Sequence, residues 1–181
     1  MSAERLKDAF FRTGAQYYVV GRFSAFASFL PITGNLFHHA VELFIKGYFA
    51  PTTTPNERKA WGHNLKSIWS RFKGQVADPT LARFDATIAE LHKFEDIRYP
   101  ERLVKQGMIA GISYVKPTGP ITVPGRTEPT YEIVLEEVDE LVRVMFEKSS
   151  RSPIAFMGDL GTDASTYLER QNKVPFKTLK K

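Results

Sequence analysis

The sequence predicts an all-α fold, an up-and-down bundle of about five helices. Apolar residues recur at the helical period in five successive segments, and proline, glycine and capping residues separate those segments. The chain has no cysteine, so neither disulfides nor thiolate metal sites stabilise it, and apolar packing must do so. One departure is predicted, a short β-hairpin or loop insertion before the last helix.

The first two helices are predicted over residues 4–29 and 35–49. Gly14 and Gly21 are positions where the first helix is expected to bend. Pro31 lacks an amide donor and restricts the residue before it, so residues 30–34 are predicted to form a turn. The second helix carries a broad apolar stripe and is expected to be largely buried.

The third helix has two possible starting points. Thr54, Pro55 and Glu57 form a capping sequence, whereas Gly62 favours a start near residue 63. In either case the apolar period continues to residue 72, and Lys73-Gly74 resembles a C-terminal cap.

The fourth helix is predicted over residues 79–94, because Asp78-Pro79 is a strong helix start. It is expected to end before Pro100. Residues 107–129 form the predicted insertion, since the β-prone runs 112–115 and 121–123 flank a turn sequence. Thr130 is then predicted to cap the last helix, which runs to about residue 148.

These elements divide the chain into a bundle over residues 1–149 and a C-terminal extension over 150–181, with a short helix expected around residues 164–170. The net charge of +5 comes from the tail. In the rest of the chain, 20 basic residues balance 20 acidic residues. A solvated basic tail therefore explains the net charge without a nucleic-acid partner. The basic residues of the tail are Arg170, Lys173, Lys177, Lys180 and Lys181.

No run of about eighteen apolar residues occurs, and the N-terminus is charged. We therefore expect a cytoplasmic protein without a membrane partner. No cofactor is expected. The four histidines include no pair at the i, i+4 spacing of a helical metal site, and adjacent His38 and His39 should point to different sides of their helix, so no metal is expected either.

Three polar motifs occur in order along the chain. His38, Glu42 and Lys46 lie four residues apart and should share one helix edge, which on spacing alone is typical of a solvated edge with local ion pairing. Gly62-His-Asn-Leu65 opens a later helix, and Arg98-Tyr-Pro100 follows the fourth. Together these motifs, over residues 4–148, resemble the HEPN domain family. That resemblance implies an all-helical module associated with nucleotides, RNA cleavage or toxin systems.

In the ribonucleases of that family, an arginine is followed four to six residues later by a histidine at the start of the last core helix, and two protomers pair their copies. The segment after Arg98 has no histidine at that distance. The resemblance therefore implies a non-catalytic module that binds a nucleotide, RNA or a partner protein as a homodimer. Whether the protein is an enzyme stays open.

Two alternatives remain. The first is a metal-independent ribonuclease of a toxin or stress-response system, in which His63 acts with Arg98 or with Arg58, and Asp96 or Glu95 orients the imidazole. In a structural version of that contact, His63 and Arg98 form buried hydrogen-bonded pairs that lock helix ends. The second alternative is a bundle that serves only assembly. The candidate binding residues are His38, Glu42, Lys46, His63, Asn64, Asp96, Arg98 and Tyr99.

Overall fold

The computed structural model describes residues 2–119, 121–157 and 160–171, and it confirms a predominantly helical fold. The helices, in chain order, are α1 Ala3–Phe26, α2 Leu30–Phe49, α3 Pro55–Ala60, α4 Leu65–Val76, α5 Asp85–Lys93, α6 Pro100–Gln106, α7 Leu135–Lys148, α8 Ile154–Met157 and α9 Thr162–Gln171. Two 3₁₀ segments, Pro79–Phe84 and Phe94–Ile97, flank α5, and two short strands precede α7.

Helices α1 and α2 form a tightly packed hairpin at the centre of the fold. α1 continues through both Gly14 and Gly21, and each glycine receives an aromatic ring from α2. A Cβ atom at Gly14 would lie 2.7 Å from the ring of Phe44, and one at Gly21 would lie 2.7 Å from the ring of Phe37. The glycines therefore allow two helices to approach closely, which is a packing role.

The predicted turn over residues 30–34 is wrong, because α2 already begins at Leu30. Pro31 lies in the first turn of α2, where its missing amide hydrogen would have no helical partner in any case. The chain reverses over residues 27–29 instead, with Ser28 in the left-handed region at φ 58°.

Both predicted starts of the third helix are used, since the segment forms two helices. Thr54 and Glu57 form a capping box at the start of α3, and the side chain of Asn64 caps α4. Between them Gly62 has φ +57°, a conformation that glycine adopts without strain. The predicted end at Lys73-Gly74 is wrong: α4 continues to Val76 and ends on Ala77.

The predicted fourth helix begins where expected but is not α-helical throughout. Asp78 accepts a hydrogen bond from the Thr80 amide at 2.9 Å, and the chain then passes through a 3₁₀ segment, α5 and a second 3₁₀ segment. The run ends before Pro100, as predicted. Pro100 also begins α6, a helix that was not predicted. Proline disfavours helical geometry in the residue before it but fits the first turn of a helix.

The predicted β-hairpin is wrong, because the two strands are parallel. β1 Ile109–Ser113 pairs with β2 Thr130–Val134, in a register that runs from Ile109 opposite Thr130 to Ser113 opposite Val134. Parallel strands need a long crossover, and the described residues of this connection, 114–119 and 121–129, form a loop. β2 occupies what was predicted as the first turn of the last helix, since Thr-Tyr-Glu-Ile-Val is β-prone. α7 therefore begins at Leu135 rather than at Thr130.

The described part of the C-terminal extension contacts the bundle. The ring of Phe156 in α8 lies 6.1 Å from that of Phe11 and 5.7 Å from that of Phe146. α9 contains the segment predicted to be helical, whereas the basic tail over residues 172–181 lies outside the described residues. Within the described ranges, none of the helices combines the length and apolar character that crossing a membrane requires.

Candidate functional site

The polar edge of α2 is buried, which contradicts the expected solvated edge. His38 is 0% exposed, Glu42 4% and Lys46 9%. α1, α4, α5 and the second 3₁₀ segment all pack on α2, so a polar side chain on this helix meets other protein groups instead of water. Buried charges require partners, and these three residues have them.

Glu42 lies at the centre of a cluster of basic side chains. Nζ of Lys46 donates a hydrogen bond to its Oε1 at 2.7 Å, and Nδ1 of His63 lies 3.0 Å from its Oε2. Two further imidazoles approach Oε2, with Nε2 of His38 at 3.6 Å and Nδ1 of His39 at 3.8 Å. Lys46 also donates to the carbonyl of Gly62 at 2.9 Å, which fixes the loop that carries His63.

This cluster keeps Glu42 ionised. Burial acts to raise the pKa of the Glu42 carboxyl, but the nearby basic groups of His38, His39, Lys46 and His63 outweigh burial and hold that pKa well below its ordinary range. The fold therefore stabilises a carboxylate inside the protein with donors from α2 and from the turn before α4. Such a fixed negative charge can orient imidazoles or bind a cation.

The contacts continue from Glu42 to the Arg98 motif. Nδ1 of His38 is hydrogen-bonded to the carbonyl of Leu91 at 3.0 Å, and its Nε2 lies 3.9 Å from Oε2 of Glu95. Oε1 of Glu95 in turn lies 3.5 Å from the guanidinium of Arg98. We call the series Arg98, Glu95, His38, Glu42 and His63 the polar chain.

The polar chain links His63 and Arg98 through three intervening residues. Among the hydrogen bonds and ion pairs of the described residues, none joins the two directly. The expected buried pairing is wrong, since the side chains of His63 and Arg98 are 53% and 39% exposed. Both ends of the polar chain therefore reach solvent, and its middle is buried.

The other candidate residues make local contacts. Asn64 caps α4, and Asp96 pairs with Arg102 at 2.6 Å. The ring of Tyr99 is exposed, with the guanidinium carbon of Arg98 5.9 Å from its centre. Arg58 lies elsewhere: it is buried, donates to Thr53 and packs over Phe10, so it holds the α2–α3 loop.

Two residues of this region, His39 and His92, were not among the candidates. His39 lies three positions before Glu42, a spacing that places both on one helix face. The predicted orienting role of Asp96 or Glu95 is wrong, because Glu42 is the carboxylate that contacts His63, whereas Glu95 lies beside His38. His92 stacks on His38 with ring centres 6.3 Å apart, and burial, then the charges of His38 and Lys66, lower its pKa. The i, i+3 spacing of His39 and Glu42 was a usable signal, whereas the contact of His92 depends on tertiary packing.

A second buried polar cluster joins α1 to α7. Arg22 lies 3.1 Å from Asp139, and the Tyr18 hydroxyl donates to the same carboxylate. Burial raises the pKa of Asp139 to about 6, although Arg22 and Tyr18 both act to lower it. With 1% and 4% exposure of the two charged side chains, this cluster has no access to a ligand and is structural.

A cleft of about 350 Å³ lies between α5, β2, α7 and the crossover loop. Its lining includes Glu90, Glu132 and Glu137, and Lys116 neutralises part of that charge by pairing with Glu137 at 3.1 Å. An acidic lining repels phosphate, so this cleft is not suited to a nucleotide. None of the predicted site residues lines it.

A comparison of the chain with protein-family models, with curated proteins and with solved structures finds no match.

Proposed function

We propose that this chain is a HEPN-like, non-catalytic module that binds a phosphate-bearing ligand, a nucleotide or RNA, beside the exposed end of the polar chain at Arg98. The observation that carries this proposal is the polar chain, because its contacts join all three motifs that resemble the family. Fixing a buried carboxylate and two imidazoles costs desolvation free energy. A structural bundle could fill the same positions with apolar residues.

The surface at Arg98 has the chemistry for such a ligand. A guanidinium binds phosphate oxygens through directed hydrogen bonds, and Arg98 is held by Glu95 while remaining partly exposed. Tyr99 is 65% exposed beside it and offers a ring on which a base can stack. Arg98 would therefore contact phosphate, and Tyr99 the base.

Binding without cleavage is the favoured form of this proposal. A ribonuclease motif of the family type places arginine and histidine on one helix start, whereas His63 and Arg98 come from separate elements. No direct contact joins them among the described contacts, so their mutual position is set only indirectly through Glu95, His38 and Glu42.

Fluorescence anisotropy with a labelled single-stranded RNA, and calorimetry with ATP and AMP, test this proposal. Arg98→Ala and Tyr99→Ala should each weaken binding about tenfold. Arg126→Ala and Tyr114→Ala are matched controls, because both residues are exposed and belong to the crossover loop instead of the Arg98 motif, and they should bind like the wild type. Equal affinity of Arg98→Ala and Arg126→Ala, or no binding at high micromolar concentration, would contradict the proposal.

The proposal includes a homodimer. Phe29, in the turn between α1 and α2, and Ile32, in the first turn of α2, are 58% and 57% exposed, and apolar side chains of this size close together in sequence favour a protein contact. Light scattering coupled to size exclusion should give twice the monomer mass of 20.6 kDa for the wild type. A Phe29→Ser, Ile32→Ser variant should give the monomer mass. A monomeric wild type at micromolar concentration excludes the dimer.

A metal-independent ribonuclease is the second candidate, and the contact between His63 and Glu42 favours it. With Nδ1 of His63 held by a buried carboxylate, Nε2 is the atom that could take the proton from a ribose 2′-hydroxyl. That oxygen would attack phosphorus, and the P–O5′ bond would break as the 5′-oxygen takes a proton from water, giving a 2′,3′-cyclic phosphate and a 5′-hydroxyl. Cleavage in EDTA that His63→Ala abolishes would support this candidate, and cleavage unchanged by it would end the candidate.

A further inference from the structure

We propose that His39, Glu42 and His63 form a binding site for one divalent transition-metal ion of the Zn²⁺ type. One ligand atom of each residue, a ring nitrogen of each histidine and a carboxylate oxygen of Glu42, lies within 4.8 Å of the others. Imidazole nitrogen and carboxylate oxygen are ligands that Zn²⁺ accepts, and two histidines with one glutamate occur in zinc sites with an open position. This inference does not depend on the proposed nucleotide or RNA ligand.

The separations match those of ligands around one small ion. Zinc bonds of about 2.1 Å in tetrahedral directions place two ligand atoms about 3.4 Å apart. Oε2 of Glu42 lies 3.0 Å from Nδ1 of His63 and 3.8 Å from Nδ1 of His39, values on either side of that separation. The third separation, between ring nitrogens of the two histidines, is within 4.8 Å, so a bound ion would draw the two imidazoles toward each other.

Lys46 leaves one oxygen of Glu42 for the ion. Its ammonium group holds Oε1 at 2.7 Å, so an ion would bind to Oε2 alone. The same ammonium group donates to the carbonyl of Gly62, next to His63. Groups that hold a ligand through its second atom fix the geometry of a metal site, and Lys46 does so for Glu42.

More imidazole nitrogens lie near Oε2 of Glu42 than this oxygen can accept hydrogen bonds from. A carboxylate oxygen offers about two lone-pair positions, yet nitrogens of three imidazoles surround Oε2 at 3.0–3.8 Å. Nε2 of His38, in a side chain that is 0% exposed, has no hydrogen-bond partner in the described part of the chain and lies 3.6 Å from Oε2. A cation shared with Oε2 accounts for the nitrogens of His39 and His63 that lie near this oxygen.

His38 is not assigned as a ligand. Its Nδ1 is bonded to the Leu91 carbonyl, and the group of atoms that lie within 4.8 Å of one another does not include it. The ion would thus have three protein ligands and a fourth position for water. Because half of the His63 side chain is exposed, that position is reachable from solvent. The expectation of no metal rested on the spacing of histidines within one helix. The third ligand comes instead from another segment, the turn before α4.

The metal site excludes the ribonuclease role of His63 while an ion is bound, because a neutral imidazole that coordinates through Nδ1 carries its proton on Nε2, which then cannot accept another. Added Zn²⁺ should therefore act differently on the proposed metal site and on the ribonuclease activity. It would order the site proposed here, and it would inhibit an acid–base reaction of His63.

Competition of Zn²⁺ between the untagged full-length protein and a chromogenic chelator measures stoichiometry and affinity. We expect one equivalent of Zn²⁺ to bind, and His39→Ala and His63→Ala each to weaken binding by at least about tenfold. His92→Ala is the matched control, since His92 is the histidine outside the cluster of imidazoles around Glu42 and should keep the wild-type affinity. Circular dichroism establishes that each variant is folded.

Thermal unfolding gives a second readout. One equivalent of Zn²⁺ should raise the Tm of the wild type and of His92→Ala, but not that of His63→Ala. The His63 side chain is 53% exposed, so its removal should leave the fold intact. Affinity weaker than about 100 µM, or equal Zn²⁺ affinities of His63→Ala and the wild type, overturns the site.

Discussion

Arg22 of α1 and Asp139 of α7 form an ion pair in which both side chains are almost fully buried. The pair joins the first and the last core helices of the bundle, which are distant in sequence. Asp139 also accepts the hydroxyl of Tyr18, so one carboxylate ties together two residues of α1. Apolar packing surrounds this cluster. The charge of Asp139 should therefore affect how the free energy of unfolding depends on pH.

Asp139 should make the protein less stable as pH rises through the weakly acidic range. Burial raises its pKa from 3.8 to about 6, so the folded state holds the proton more tightly than the unfolded state. The stabilising contribution is complete below pH 4 and is lost as pH rises through about 6. Two pKa units correspond to about 3 kcal/mol.

Urea denaturation of the wild type and Asp139→Asn at pH 4.5, 5.5 and 7 measures this effect. Other carboxyls titrate in both proteins, so the difference between the two free energies of unfolding isolates Asp139. The wild type should lose stability relative to Asp139→Asn as pH rises. A difference that stays constant with pH would show that the pKa of Asp139 is not raised.

Gly34 should tolerate no side chain. A Cβ atom there would lie 2.0 Å from Cδ1 of Phe94, whose ring is fully buried. Gly34→Ala should therefore lower the free energy of unfolding by about 1–3 kcal/mol or more through overpacking. Gly74→Ala is the control: no atom lies within 4 Å of its Cβ position in α4, so helix propensity should stabilise that variant by about 0.5–1 kcal/mol. Equal effects in urea denaturation would contradict the packing of Phe94 on α2.

Loss of the Glu42 charge should destabilise the protein far more than loss of a surface charge. Glu42→Ala leaves the ammonium group of Lys46, which is 9% exposed, without its carboxylate, and breaking a buried ion pair costs about 3–5 kcal/mol. Glu101→Ala, at an exposed position in α6, should change the free energy of unfolding by less than about 0.5 kcal/mol. Comparable chemical-denaturation midpoints for the two variants would mean that Glu42 is solvated.

Much of the helical framework follows from local sequence. The capping box of Thr54 and Glu57 and the helix start at Asp78 depend on neighbours within three residues, so the pattern determines them. The start of α2 was missed because Pro31 is compatible with both a turn and a first helical turn. The parallel pairing of β1 with β2 depends on a crossover, which no local pattern specifies.

The sequence predicts which residues of α2 belong to the site, but it does not predict their burial. Spacing placed His38, Glu42 and Lys46 on one edge of α2, and the structure has them on one edge. Their burial depends on how α4, α5 and the second 3₁₀ segment pack on that edge, and this information is not in the spacing. The same packing brings in His63 and Glu95, which lie far along the chain.

The location of the ligand site is tested most directly by ¹H–¹⁵N NMR spectra of the labelled protein during titration with a short single-stranded RNA. We predict chemical-shift changes at the amides of Arg98 and Tyr99, and smaller ones at the amide of His63 at the other end of the polar chain. The amide of Arg126 in the crossover loop should not shift. Changes confined to the acidic cleft around Glu132 and Glu137, or no changes at saturating RNA, would contradict this account.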